Sequence, residues 1–167
     1  DAMASTPTEL TIQLRPERRV DVIDVNKRVR DISTDFLAEY QRALYCSHHT
    51  TAGFLEETIC NRLGQSNDSV HQFLEPFQEL FPFGAEYRHD QMHLRRELSP
   101  AQRQNEPRNA DSHLTFISSG LENCVTYPSD PSRPVFFIDL DGVNKDNQDR
   151  RERTTTVSAP PSGRVRR

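Results

Sequence analysis

Two hydrophobic rhythms follow one another early in the chain, and the switch between them restricts the fold more than any other feature. Thr8 to Arg15 alternates strictly, with Leu10, Ile12 and Leu14 facing one way and Thr11, Gln13 and Arg15 the other. That is the period-two signature of a strand with one buried face. Pro16 stops it, and Arg18 to Val25 resumes the alternation through Val20 and Val22, so a hairpin of these two segments is expected. From Asn26, a candidate cap, the period changes. Val29, Ile32, Phe36, Leu37, Tyr40 and Leu44 recur at spacings of three and four, the stripe of a helix that buries one face.

The remainder continues the mixture. Ala43 to Phe54 reads as a strand ending at Gly53, and Ser69 to Leu80 as a core helix kinked by Pro76. Gln91 to Asn109 has no periodicity and reads as a long loop, a kind of segment that is often functional, or a short exposed helix. His113 to Ser119, Cys124 to Tyr127 and Pro134 to Asp141 read as strands, separated by turns at Gly120, at Pro128 to Pro134 and at Asp141-Gly142. Strands and helices therefore neither alternate regularly nor segregate, which predicts a single compact α+β domain with a mixed, mostly antiparallel sheet packed with helices. A length of 167 residues suits one domain. Its predicted bounds are residues 8–143, with 1–7 a disordered end or expression remnant and 144–167 a basic, disordered tail.

Charge and cysteine usage narrow the function. The net charge is -4, yet the segment from Asn144 to Arg167 holds Lys145 and six arginines against Asp146, Asp149 and Glu152. The body is accordingly too acidic for a protein that grips a phosphate backbone, and the basic tail lacks the interleaved aromatics of a nucleic-acid binder. Nucleic acid is not an expected partner. No window approaches the roughly 18 apolar residues of a membrane helix, and no signal peptide is recognised. Cys46, Cys60 and Cys124 form neither a disulfide framework nor a CxxC pair. A cytoplasmic protein with reduced thiols is the expectation.

The histidines carry the strongest chemical signal. All six, His48, His49, His71, His89, His93 and His113, fall in the middle of the chain. Imidazoles from separate elements converging on one point would hold a divalent cation, zinc or another transition metal, or magnesium, or, when protonated, an anion. His49-Thr50-Thr51-Ala52-Gly53 sits where a strand turns, so hydroxyls and backbone N–H groups beside an imidazole make an anion cradle. Tyr87-Arg88-His89-Asp90 supplies a second imidazole with an adjacent acid that orients the ring, binds a metal or caps a helix. Asn109-Ala110-Asp111-Ser112-His113 supplies a third at the start of a predicted strand.

These three stretches in order, with Gly120 seven residues beyond His113, resemble the signature of the YjbQ-like family, whose members carry the label secondary thiamine-phosphate synthase. The resemblance runs from about Thr8 to Gly142. It implies a compact α+β domain, a homotrimer, and a pocket in which His49, His89 and His113 surround a metal ion or an anion. Departures fall on the substrate-facing wall: Glu56-Glu57-Thr58-Ile59-Cys60-Asn61 replaces the family's Asn-Glu-Asn stretch, Pro131-Ser132-Arg133-Pro134 stands where Gly-Thr-Trp-Gln is usual, and Thr115 replaces a lysine.

The function expected is an enzyme acting on a small polar or phosphorylated metabolite, of thiamine-phosphate-synthase type or diverged from it. His49, His89 and His113 are the expected metal or anion centre, with Asp90 beside them and His48 or Glu57 as acid or base. Thr50, Thr51, Asn109, Ser112 and Arg108 are expected to bind substrate, with Arg95, Arg96 and Arg103 as further phosphate ligands. The alternative is a non-catalytic small-ligand or metal-binding regulatory protein with the same pocket.

Overall fold

A computed structural model describes residues 8–159. Twelve main elements run in the order β1 (Thr8–Leu14), β2 (Asp21–Asp24), α1 (Val25–Ile32), β3 (Arg42–Ser47), β4 (Ala52–Gly53), α2 (Glu57–Arg62), α3 (Asn67–Leu80), α4 (Pro100–Asn105), α5 (Ala110–Ser118), β5 (Cys124–Pro128), β6 (Phe136–Asp139) and β7 (Arg153–Ala159). The strands form two antiparallel sheets, one in the order β1-β7-β3-β5 and the other β2-β6-β4. The α+β class with antiparallel pairing is as the sequence predicts.

The predicted hairpin does not form. β1 keeps Ile12 and Leu14 buried, but its partner is β7, in register from Thr8↔Ala159 to Leu14↔Arg153. β2 crosses to the second sheet and pairs with β6. The predicted first helix is also shorter. Asp24, not Asn26, caps α1, its carboxylate accepting from the N–H groups of Asn26 and Lys27 at 3.0 and 3.4 Å. Asn26 is instead fully buried, accepting from the Tyr45 hydroxyl at 2.6 Å and donating to the Arg133 carbonyl at 2.8 Å. After Ile32 the chain leaves the helix, and Phe36, Leu37 and Tyr40 reach the core from a short 3-10 turn.

The core lies between the sheets and under the helices. Tyr127, Tyr45, Phe54 and Phe137 stack through it in tilted or edge contacts with centroids 5.7 to 5.9 Å apart, the offset geometry aromatic quadrupoles favour. Gly53 lets the chain pass the Glu122 carbonyl, where a β-carbon would collide.

Two expectations fail for one physical reason. Within the segment predicted as a disordered tail, residues 144–159 are ordered: β7 is an interior strand with Arg153, Thr155, Val157 and Ala159 facing inward. The 1–7 and 160–167 parts of the predicted ends lie outside the described residues. Likewise 110–118 is helix α5, not a strand, with Ser112, Thr115, Phe116 and Ser119 on its buried side. In both elements the inward row is polar yet satisfied. Thr155 Oγ1 donates to the Cys46 carbonyl at 2.7 Å, Ser112 Oγ to Leu140 at 2.7 Å and Ser119 Oγ to Thr115 at 2.6 Å, so burial carries no unpaired-group penalty.

A buried ion pair joins the sheets. Arg153 on β7 donates to both carboxylate oxygens of Asp139 on β6 at 2.7 and 2.9 Å, and Asp139 is fully buried. Replacing Arg153 with Met leaves that carboxylate unpaired, at an expected cost of about 3–5 kcal/mol. Urea titration checks this: the midpoint falls with an unchanged slope, and Arg153→Met combined with Asp139→Leu recovers most of the loss.

Candidate functional site

The 48–51 turn joins β3 to β4 and is held by backbone geometry that its sequence supplies. Ser47 Oγ donates to the Ala52 carbonyl at 2.6 Å and accepts from the His49 N–H at 3.2 Å, closing the turn on itself. Asn123 Nδ2 donates to the His49 carbonyl at 2.6 Å from the far side. The turn faces the N-terminus of α5, the loop after β6 and the start of β7. Between them lies a cleft of about 350 Å³, lined by His48, His49, Thr50, Thr51, Asn109, His113, Asp141, Arg151 and Arg153, with Glu106 and Pro107 at its edge.

Its floor is a charge-balanced network. Asp141, also fully buried, accepts from Arg151 at 2.7 Å and Asn109 Nδ2 at 2.9 Å through one oxygen, and from Arg19 at 3.3 Å through the other. Arg19 also pairs with Asp111 at 3.0 Å. Arg153 reaches from Asp139 to Thr51 Oγ1 at 3.0 Å. Three guanidinium groups thus meet three carboxylates. Burial holds the Asp139 and Asp111 carboxyls above the usual range, with their arginines pulling the other way.

The imidazoles are distinguished by their partners. His49 Nε2 accepts the Thr154 backbone N–H at 2.8 Å, so its lone pair is spent there and, in the neutral ring, the proton sits on Nδ1 as a donor. Burial, then the charges of Arg153, His48 and Arg151, push its pKa down to about 4. The His113 pKa is also lowered, by burial first and then by His89, whose ring lies 5.0 Å away centroid to centroid. Asp90 serves α5: its Oδ1 accepts from the N–H groups of Asn109 and Ala110 at 3.1 and 3.0 Å and lies 3.2 Å from His89 Nδ1. Its helix-capping and ring-orienting readings therefore both hold. Among the described residues, the buried oxygens Asp90 Oδ2 and Asn109 Oδ1 have no protein partner.

Of the residues singled out in the sequence, His48, His49, Thr50, Thr51, Asn109 and His113 line one cleft. His89 stands behind it against His113. Others go elsewhere. Glu57, on α2, pairs with Arg42 at 2.9 Å in a separate groove. Arg108 pairs with Asp146 at 2.5 Å and lies over the Phe83 ring. Ser112 is buried and bonded to Leu140. Arg95 faces Glu97 and Glu106, Arg103 donates to the Arg95 carbonyl, and Arg96 is exposed. Asp139, Asp141, Arg151, Arg153 and Arg19 are functional neighbours that sequence reasoning missed. The period-two row Arg153, Thr155, Val157, Ala159 was the available signal.

His49 Nε2 is engaged with the backbone, and among the described residues no group of three or more His, Cys, Asp or Glu side chains is disposed to hold a metal ion.

The architecture defines a class: the chain has the fold of the YjbQ/UPF0047 proteins. It is similar to a hypothetical protein from Aeropyrum pernix K1, at 18% identity and a TM-score of 0.58 over 90% of this chain and 96% of that one. A YbjQ-like protein of unknown function from Sulfolobus solfataricus P2 aligns at 17% identity and TM-score 0.58, over 92% and 96%. An uncharacterised conserved protein of the yjbq/upf0047 family from Clostridium acetobutylicum aligns at 16% identity and TM-score 0.52, over 89% and 97%. No family model and no curated protein matches the sequence. Among the described residues no helix is long and apolar enough to cross a membrane.

The low imidazole pKa has a sign. Unfolded His49 takes up a proton near 6.5 and folded His49 only near 4, so the unfolded state binds more protons between those values. Stability therefore falls as pH drops through that window and is unaffected above it, and His113 acts in the same sense. Thermal melts of His49→Gln against the parent chain are expected to show a shallower loss on acidification.

Proposed function

We propose that this chain is an enzyme acting on a small polar or phosphorylated metabolite in the cleft between the 48–51 turn, the N-terminus of α5 and the start of β7. One observation carries the reading: the cleft brings two imidazoles, His49 and His113, together with the Thr50 hydroxyl, the Asn109 amide and the Arg151 guanidinium. Thr50, exposed and without a hydrogen-bond partner among the described residues, and the His49 Nδ1–H supply donors to a phosphate or carboxylate. Arg151, about one-third exposed, has charge to share there.

The two cleft imidazoles divide the work. His49 is too weak a base near neutrality to move a proton, so it binds and orients. His113, neutral because it is buried beside His89, accepts a proton from the substrate. The charge that develops opposite it is stabilised by Arg151 and the His49 N–H. Thiamine-phosphate-synthase-type chemistry, which the sequence resemblance implies, is the first reaction to test, because its departing pyrophosphate demands such donors. A homotrimer is the expected assembly. Exposed Ile117 and Leu80, 75% and 67% accessible, offer apolar surface for it, and light scattering gives the mass.

The test is a thermal-shift screen of phosphorylated and carboxylated metabolites, followed by turnover assays on the hits and on a pyrimidine diphosphate with a thiazole phosphate. His113→Ala is expected to lower kcat by about 10²–10⁴-fold while ligand-induced stabilisation persists. Asn109→Ala weakens that stabilisation. Stabilisation without turnover under any condition supports the binding-protein alternative. A stoichiometric transition metal in protein purified without a tag would replace both with an ion-centred site.

A further inference from the structure

Cys46 on β3 and Cys124 on β5 are directly opposed residues of an antiparallel pair. The Ser47 N–H donates to the Asn123 carbonyl at 2.7 Å, which makes Ser47 and Asn123 a hydrogen-bonded pair. Because such pairs alternate, Cys46 and Cys124 occupy a non-hydrogen-bonded pair, where Cα atoms lie about 4.5 Å apart and side chains approach most closely. That separation falls within the range a disulfide spans, about 4.4–6.8 Å. The two sulfurs already lie 2.8 Å apart as thiols. Cys124 is exposed at the outer face of the sheet, beside the groove that also holds Arg42 and Glu57, and Cys46 is half-buried behind it. Cys60, the third cysteine, is buried elsewhere in the core.

We propose that Cys46 and Cys124 are a modification site, a dithiol that a small-molecule disulfide converts reversibly into a cross-strand bridge between β3 and β5. The Cys124 thiolate attacks one sulfur of the small disulfide, whose S–S bond breaks and releases one small thiolate that takes up a proton. Cys46 then loses its proton and attacks the Cys124 sulfur. The protein S–S bond forms, the mixed disulfide breaks, and the second small thiol departs. Two protein S–H groups are oxidised and one small disulfide is reduced to two thiols, so electrons and protons balance.

The order follows from exposure. An oxidant reaches Cys124 first, whereas burial and the adjacent Cys124 thiol push the Cys46 pKa up to about 12, making it a poor first nucleophile. As the resolving sulfur it needs no diffusion, being already in contact with its target. The bridge borders the cleft. Asn123, next to Cys124, holds the His49 carbonyl, and the Cys46 carbonyl accepts from Thr155 of β7.

The experiment incubates the full chain with 2-hydroxyethyl disulfide, denatures it, blocks free thiols with N-ethylmaleimide and reads intact mass and a peptide map. One labelled thiol, Cys60, and a Cys46–Cys124 cross-linked peptide in a monomeric chain, both reversed by dithiothreitol, are expected. Cys46→Ser is expected to stop at a mixed disulfide on Cys124, and Cys124→Ser to react far more slowly. The proposal is overturned if the parent chain also stops at the mixed disulfide, if all three thiols remain free, or if the cross-link joins Cys60 or two chains. Failure of the metabolite screen leaves this result unaffected, because neither cysteine lines the cleft.

Discussion

The bidentate contact of Arg153 with Asp139 fixes where everything else sits. A carboxylate excluded from water is tolerable only with a cation at bonding distance, so β7 and β6, which belong to different sheets, are held to one relative position. Arg153 then has a remaining N–H for Thr51 and for the Asp141 carbonyl. The 48–51 turn and the loop after β6 are thereby tied to the same guanidinium. The cleft is thus an extension of the contact that closes the two-sheet fold, and its rigidity derives from that contact.

This dependence explains what could be read from the chain and what could not. Elements with an apolar buried face were legible: β1 through Ile12 and Leu14, α3 through Val70 and Leu74, β5 through Val125 and Tyr127. β7 and α5 were not, because polar residues interrupt their inward rows: Arg153 and Thr155 beside Val157 and Ala159, and Ser112, Thr115 and Ser119 beside Phe116. Hydrophobic periodicity sees only groups that burial itself favours. A hydroxyl bonded to a carbonyl four residues back or across a sheet is as acceptable inside as a methyl group, yet it reads as surface. The strand pairing was equally invisible, since β1 finds its partner at the opposite end of the described chain and nothing local specifies that register.

The candidate site divides along the same line. Histidines are conspicuous by type, so His49 and His113 were found, and the turn and helix terminus that carry them do meet. Their chemistry, however, is set by backbone and neighbours. A single N–H from Thr154 decides which nitrogen of His49 holds the proton, and that N–H belongs to the strand that was missed. The arginines that raise the potential around His49 came from the same overlooked segment. Glu57 and Arg108 were chosen for residue type alone, and each is drawn away by a nearer opposite charge, Arg42 and Asp146.

Asn109 shows how structure and function are coupled at this point. Its backbone N–H is spent on Asp90 and its side-chain amine on Asp141, so one carboxylate fixes the backbone at the start of α5 and the other holds the side chain. The side chain cannot turn without breaking a charged hydrogen bond, worth about 1.5–3 kcal/mol. The fold therefore presents the Asn109 side chain at the cleft already ordered, and a ligand that meets it loses little conformational freedom on its account.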